Sequence, residues 1–254
     1  MSEARRQQLA RFVEQRGFVR VTDAADELGV SDVTIRGDLS SLESRGIIVR
    51  VHGGAMPAAA LRETTLEAAR DRDAEAKNAI GRAAAALVSS GDSVYIDAGS
   101  TSMELALALV ERRELHDVVV VTSGLTIALA LEAAMPRLTV IVTGGTLRSL
   151  QHSLVSPFAM LDVLNVDLAF IGCNGIDPVA GVTNLNLPDA EVKTRVLAVS
   201  ARHIVIADAT KLGKTHLAAI APLAAFHMLI TAGPADPALL QQIAALGLDV
   251  RLVE

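Results

Sequence analysis

Apolar residues recur at helical spacing through the first part of the chain and switch to short continuous runs beyond residue 74. Leu9, Phe12 and Val13 form the inward stripe of a helix over residues 3–16, which Gly17 ends. Residues 18–21 read as a short strand, and Thr22 is placed to cap a helix running to Leu28. Gly29-Val30 makes a turn and Ser31 caps the next helix, in which Ile35, Leu39 and Leu42 share one face. Val33, Thr34, Arg36, Gly37, Ser40 and Ser44 point the other way. Residues 47–51 then read as a strand, a wing able to pair with residues 18–21.

The pattern weakens over residues 57–73, where Pro57 and an alanine run lead into LRETTLEAARDRD, read as a linker and leading helix. From residue 74 onward, β-rich runs at 94–97, 118–121, 139–142, 168–171, 204–207, 227–231 and 249–253 alternate with helical patterns. The helices are expected near 74–90, 101–112, 124–134, 153–164, 188–201 and 235–246. Such alternation predicts a mostly parallel sheet covered on both faces. The expected fold class is α/β: a winged helix-turn-helix domain at 1–56, a linker at 57–73, and a larger α/β domain at 74–254.

A helix that follows a tight turn and shows a small-polar face with one arginine suits insertion into a DNA major groove. Candidate DNA contacts are Ser31, Val33, Thr34, Arg36 and Ser40 on the helix, with Arg50 and His52 of the wing reaching the sugar-phosphate backbone. Spacing alone equally allows a helical hairpin packed on some other surface, and His52 equally reads as a turn residue before two glycines.

Charge sharpens this picture. Through Gly54 the chain carries eight basic and eight acidic side chains, so the net charge of −6 lies in the remainder. A neutral DNA-reading arm releases few counterions, which shifts the burden to base contacts and to a second copy of the chain. Aromatic residues are 2% of a chain that is 51% hydrophobic, so the core is Ala, Val, Leu and Ile. The single Cys173 excludes a disulfide within the chain and suits a reducing cytoplasm. No leader or membrane span is read, and the six histidines (52, 116, 152, 203, 216, 227) lack metal-ligand spacing, so neither metal nor cofactor is expected.

Loops at the strand ends carry anion chemistry. Asp97-Ala98-Gly99-Ser100-Thr101-Ser102 and Thr122-Ser123-Gly124 open helices, and Thr143-Gly144-Gly145-Thr146 follows the third strand. Small residues expose backbone N–H groups, hydroxyls add donors, and a helix N-terminus favours an anion. Gly172-Cys173-Asn174-Gly175 and Asp208-Ala209-Thr210-Lys211 follow two further strands. Lys211 suits a phosphate, while Asp97 and Asp208 suit sugar hydroxyls. Glu191 and Lys193 read, by themselves, as a solvated helix face, and Cys173 as a small packing residue.

The string VSDVTIRGDLSSLESRGIIVRVHGGA strongly resembles the start of DeoR-type transcriptional repressors. Val30, Ser31, Thr34, Ile35, Arg36, Asp38, Leu39, Leu42, Glu43, Gly46, Arg50, His52, Gly53, Gly54 and Ala55 match; Gly37 stands where the family usually has a second arginine. DAGSTS, VTSG, TGG, FIGCNGID, EVKTRVLAVS and IADATKLG resemble the family's sensor domain, itself similar to ribose-phosphate isomerases. The resemblance implies a homo-dimeric or tetrameric repressor that binds operator DNA and is relieved by a phosphorylated sugar or related metabolite. It also implies an effector pocket lined by Asp97, Ser100, Thr101, Ser123, Gly144, Gly145, Asn174, Glu191, Lys193, Asp208 and Lys211. The alternative is an isomerase-like enzyme with a DNA-binding arm. Against it, the isomerases' acidic D-G-A-D cluster is replaced here by Gly-Cys-Asn-Gly at 172–175, leaving no base of that kind to move a proton.

Overall fold

In the computed structural model, which describes residues 2–16, 18–51, 53–57, 64–155 and 160–254, Ser31 opens a helix where its side chain predicts one. Its Oγ accepts from the Thr34 backbone N–H at 3.3 Å and lies 3.0 Å from the Thr34 hydroxyl. Two compact units form, one mainly from residues 1–63 and the other from 64–213 and 217–254. The first runs α1 (Ser2–Arg16), β1 (Val19–Arg20), α2 (Val21–Leu28), α3 (Asp32–Ser44), β2 (Ile48–Val51) and β3 (Gly54–Pro57). Gly29 ends α2 at φ +63°, the left-handed conformation that a residue without Cβ adopts freely. Ile35, Leu39 and Leu42 are at most 2% exposed and meet Leu9, Val13, Ala24 and Ile48. Each such burial contributes roughly 1.5–3 kcal/mol before chain entropy is subtracted.

Two local expectations are corrected in this unit. Thr22 does not cap α2: the helix begins at Val21, its N-cap is Arg20, and no side chain caps it. Instead the Val21 N–H donates to the Gly53 carbonyl at 3.0 Å, so the wing turn satisfies that helix start. The strand at 18–21 does not pair with residues 48–51 either. Its partner is β3, which pairs Val19 with Ala55 on one side and Val51 with Gly54 on the other, in the order β1-β3-β2. β3 escapes the hydrophobic pattern because it begins with a glycine, and it needs one: a Cβ on Gly54 would collide with the Val19 carbonyl oxygen. Gly17 and His52 lie outside the described residues.

The second unit opens with α4 (Leu66–Asp71) and α5 (Ala74–Ala85), then β4 (Ser93–Ile96), α6 (Ser100–Glu111), β5 (Val118–Thr122), α7 (Leu125–Leu131) and β6 (Leu138–Val142). A hairpin, β7 (Thr146–Arg148) and β8 (Ser153–Val155), precedes β9 (Val166–Ile171), β10 (Gly175–Asp177) and β11 (Gly181–Asn184). There follow α8 (Leu187–Ala198), β12 (Ser200–Ile206), β13 (Ala218–Ala221), β14 (Met228–Ala232), α9 (Pro237–Ala244) and β15 (Asp249–Val253). Seven strands make one parallel sheet in the order β15-β14-β12-β9-β4-β5-β6. Val94, Ile96 and Phe170 pack on one face, and Tyr95, Ala169 and Ile171 on the other, so both faces are covered. From β4 the chain steps outward through β5 and β6, then returns to β9 and continues on the other side. The crevice at the carboxyl ends of β4 and β9 is therefore the topological switch point, where open α/β sheets bind ligands.

The leading helix expected within 57–73 is α4, whose Leu66 is 3% exposed and donates its N–H to Leu150 O at 2.9 Å. Residues 58–63 of that stretch lie outside the described set. Two features differ from expectation. The helix expected at 153–164 is absent over its described part. Residues 153–155 form β8, residues 161–163 a short 3-10 turn, and residues 156–159 lie outside the described set. Tertiary pairing decides this: the Leu154 N–H donates to Ser123 O at 2.8 Å and the Leu125 N–H to His152 O at 2.8 Å. The small antiparallel sheet β10-β11-β13 is absent from the hydrophobic pattern altogether.

Candidate functional site

The outer face of α3 is open to solvent. Val33 is 78% exposed, Arg36, Gly37 and Ser40 are exposed, and Ile35, Leu39 and Leu42 anchor the opposite face. Ser40 Oγ donates to the Arg36 carbonyl at 3.0 Å and accepts from Arg50 Nη1 at 3.0 Å. The Arg50 backbone N–H donates to Glu43 Oε1 at 3.1 Å. These bonds fix the wing against the helix, so Ser31, Val33, Thr34, Arg36, Ser40 and Arg50 lie on connected elements of one surface.

Asp38 belongs to the support beneath that surface. It is 3% exposed and accepts from Arg5 Nε at 2.5 Å and Arg6 Nε at 3.2 Å. Burial pushes its carboxyl up, but the two guanidiniums outweigh burial and hold it below the usual carboxylate range. Its contribution is present above the unfolded-state pKa near 4 and is lost as pH falls through the lower folded-state value. Asp38→Ala is expected to cost about 1–3 kcal/mol, since it removes two charge-assisted hydrogen bonds. A denaturant titration that follows the first unit checks this, and the difference should shrink in acid. Arg45 pairs with Glu3 and Arg16 with Glu27. Arg11, Arg20 and Arg36 have no ion-pair partner among the described residues and remain available to phosphate or base.

In the second unit the switch point holds a buried chain of charges. Lys193 Nζ lies 3.0 Å from Asp97 Oδ2, 3.0 Å from Asp189 Oδ2 and 3.0 Å from the Gly172 carbonyl oxygen. Asp97 Oδ2 also accepts the Gly172 N–H at 2.9 Å. Asp189 accepts from Arg148 Nη1 at 2.8 Å and from Asn184 Nδ2 at 2.7 Å. Asp97 and Lys193 are 0% and 3% exposed. Burial and Asp189 push the Asp97 carboxyl up to about 6 against the opposing pull of Lys193. Burial pulls the Lys193 ammonium down, but Asp189 and Asp97 outweigh it and hold the amine protonated far into the basic range. Asp189, also desolvated, is nevertheless held low by Lys193 and Arg148.

The other expected residues divide around this chain. Ser123 is buried and meets the Tyr95 hydroxyl at 3.1 Å, while Ser100 and Thr101 form the first turn of α6, just after Asp97. Burial, reinforced by the charge of Asp97, raises the Tyr95 phenol well above its ordinary value. Asn174 Oδ1 accepts from the Leu185 N–H at 3.0 Å and so braces β11 beside the Gly172 loop. Asp208 and Lys211 form a second group: Asp208 takes the Thr210 N–H at 3.0 Å and the Thr210 hydroxyl, with Lys211 Nζ 3.6 Å away. Burial pushes Asp208 up, and Lys211, Thr210 and Lys77 more than offset it. Cys173 packs against the core, and desolvation pushes its thiol up to about 12, as suits a packing residue.

Two expectations fail to join the cluster. Glu191 is exposed and lines a surface groove with Leu187, Thr194 and Ala219, because a position two residues before Lys193 faces the other side of α8. Gly144 and Gly145 are exposed after β6, the edge strand, two strands from β4. Sequence reasoning misses Arg148, Asn184, Asp189 and Lys77, and names Ser102 only as part of its loop. The i,i+4 spacing of Asp189 and Lys193 is a usable signal. Lys77, 3% exposed with its Nζ donating to Ala69 O and Arg72 O, gives none.

A helix-turn-helix arm and an α/β unit with a polar switch-point site define a ligand-responsive DNA-binding protein. The DeoR-like helix-turn-helix domain model matches residues 5–58, and the DeoR C-terminal sensor domain model matches residues 72–232. The chain belongs to the DeoR family of transcriptional regulators. It is 33% identical over 249 residues to the HTH-type transcriptional regulator GlpR of Haloferax volcanii, covering 97% of this chain and 96% of that one. It is 30% identical over 212 residues to the lactose phosphotransferase system repressor of Staphylococcus aureus, covering 82% of each. Ribose 5-phosphate isomerase A of Methanocaldococcus jannaschii shares 19% identity over 55% of each chain at a TM-score of 0.40, too distant to bear on mechanism. The family consists of regulators, which sets the isomerase alternative aside. Among the described residues no helix is long and apolar enough to cross a membrane.

Proposed function

We propose that this protein is a repressor of sugar-metabolism genes that grips operator DNA through α3 and the β2–β3 wing and lets go when a phosphorylated sugar or related metabolite binds at the sheet's switch point. The carrying observation is the buried Arg148–Asp189–Lys193–Asp97 chain at that crevice, in a chain that also presents an exposed reading helix. A family relative named as a repressor of a lactose system supports the sugar class. The effector pocket comprises Asp97, Ser100, Thr101, Ser123, Asn174 and Lys193, with Asp208 and Lys211 beside it. The working form is a cytoplasmic homo-dimer or tetramer whose arms read repeated half-sites. By linkage, the effector binds the DNA-free state more tightly.

Arg36→Ala tests the reading helix. Operator affinity, measured on a duplex selected from random sequence, is expected to fall about tenfold per arm, while effector binding stays unchanged. Unaltered operator affinity would overturn the assignment of α3. A thermal-shift screen against sugar phosphates, with product analysis, tests the sensor: stabilisation without turnover is expected, and product formation would refute it.

A further inference from the structure

Two side-chain oxygens at the switch point are buried without a hydrogen-bond partner among the described residues: Asp97 Oδ1 and Ser102 Oγ. Asp97 is 0% and Ser102 1% exposed. Both residues face Gly172, where a Cβ would stand 3.2 Å from Asp97 Oδ2 and 3.9 Å from Ser102 Oγ. The carboxylate and the hydroxyl thus both lie close to the Gly172 backbone. Folded chains rarely leave buried polar atoms bare, because each one costs stability, so each such atom calls for a partner.

The chemistry of the missing partner follows from what is already taken. Asp97 Oδ2 is occupied by the Gly172 N–H and by Lys193, so Oδ1 needs a donor. A carboxylate repels phosphate. A ligand hydroxyl fits: it gives its proton to Oδ1 and accepts the Ser102 hydroxyl proton. Resting on the effector reading above, we propose that Asp97 and Ser102 form a hydroxyl-reading subsite against Gly172, which takes an uncharged hydroxylated end of the effector and leaves any phosphate to groups elsewhere in the pocket.

The subsite has a pH signature. Asp97 is faced by Lys193 and Asp189 of α8, by Tyr95 of β4 and by Cys173, with Arg148 behind Asp189. A hydroxyl that donates to the charged carboxylate favours ionised Asp97, so binding expels the proton that Asp97 holds below about 6. Affinity should therefore decline as pH falls through that value, and more steeply than the ligand phosphate, whose own second ionisation lies at about pH 6, would cause alone.

The test uses the full chain and calorimetry with ribose 5-phosphate, glucose 6-phosphate, fructose 6-phosphate, glycerol 3-phosphate and inorganic phosphate as probes. A phosphorylated polyol or sugar should bind with this pH profile, inorganic phosphate should bind far more weakly, and Ser102→Ala should lower affinity for the bound probe about tenfold. Without ligand, Ser102→Ala should keep or raise the melting temperature, because it removes a bare buried hydroxyl. Equal affinity for the variant, or a pH-independent affinity, overturns the subsite while leaving the sugar-phosphate reading intact. If no probe binds the wild type, the sugar-phosphate reading falls and the subsite, which rests on it, falls with it. A ligand-free melting temperature that drops in Ser102→Ala shows that Ser102 has a structural role and also overturns the subsite.

Discussion

Lys193→Met is expected to destabilise the second unit by about 3–5 kcal/mol at neutral pH, because it strips the shared cation from two buried carboxylates. Lys193 Nζ stands 3.0 Å from both Asp97 and Asp189, and its side chain is 4% exposed. Methionine fills similar volume, so the loss reports charge rather than a cavity. Asp189 keeps Arg148 at 2.8 Å, and Asp97 keeps the Gly172 N–H. Asp97 is therefore the group left most exposed to its own desolvation. Its carboxyl already stands at about 6 in the presence of Lys193, and removing the cation raises it further. A carboxyl whose folded pKa lies above its unfolded value destabilises the fold as pH rises through that interval. The gap between variant and wild type should accordingly narrow as pH falls from 8 toward 5. Thermal melts at several pH values measure this, and a gap that stays constant would mean that Lys193 contributes packing rather than charge compensation.

How much of this is legible in the chain depends on which interaction decides each element. The inner strands of the parallel sheet are readable because each contains a short apolar run such as that at 118–121, and burial on both faces leaves that mark, whereas the edge strands β6 and β15 are largely uncovered and carry a weaker one. α3 is readable from Ser31 and the Ile35/Leu39/Leu42 face. β3 and β8 are not, because residues such as Gly54 and Ser153 carry no hydrophobic signal and their places are set by pairing. At the site, Asp97 and Lys193 are named on separate grounds, but their ion pair is invisible: nothing local brings residues 97 and 193 together. Arg148 comes from the hairpin whose second strand reads as helix, so the end of the charge chain is lost with it. Glu191 is the converse case: the resemblance puts it in the pocket, whereas its exposure on α8 agrees with the solvated helix face that its own position suggests.

Gly37→Arg is expected to strengthen both the helix and its hold on DNA. Gly37 sits in mid-α3 and is exposed, and a Cβ there would meet no atom within 4 Å. The substitution thus meets no local steric obstacle, and replacing glycine by a good helix former in an exposed helix interior contributes roughly 0.5–1 kcal/mol. The added guanidinium stands next to Arg36 on the face opposite Ile35 and Leu39. The first unit's other cations are partly consumed internally, with Arg5 and Arg6 on Asp38, Arg45 on Glu3 and Arg16 on Glu27. One further free arginine per arm is therefore a large relative change. If it contacts a phosphate, the logarithmic salt slope of operator binding should steepen by about 0.9 per arm. Operator affinity near 0.1 M salt should rise on the order of tenfold or more, with a smaller proportional rise on unrelated duplexes if the contact is to a base. Fluorescence anisotropy across a salt series, on operator and on unrelated DNA, separates the two contacts. A more stable protein with unchanged affinity and salt slope would show that position 37 of α3 faces away from the duplex, and would require the helix to be rotated in its groove.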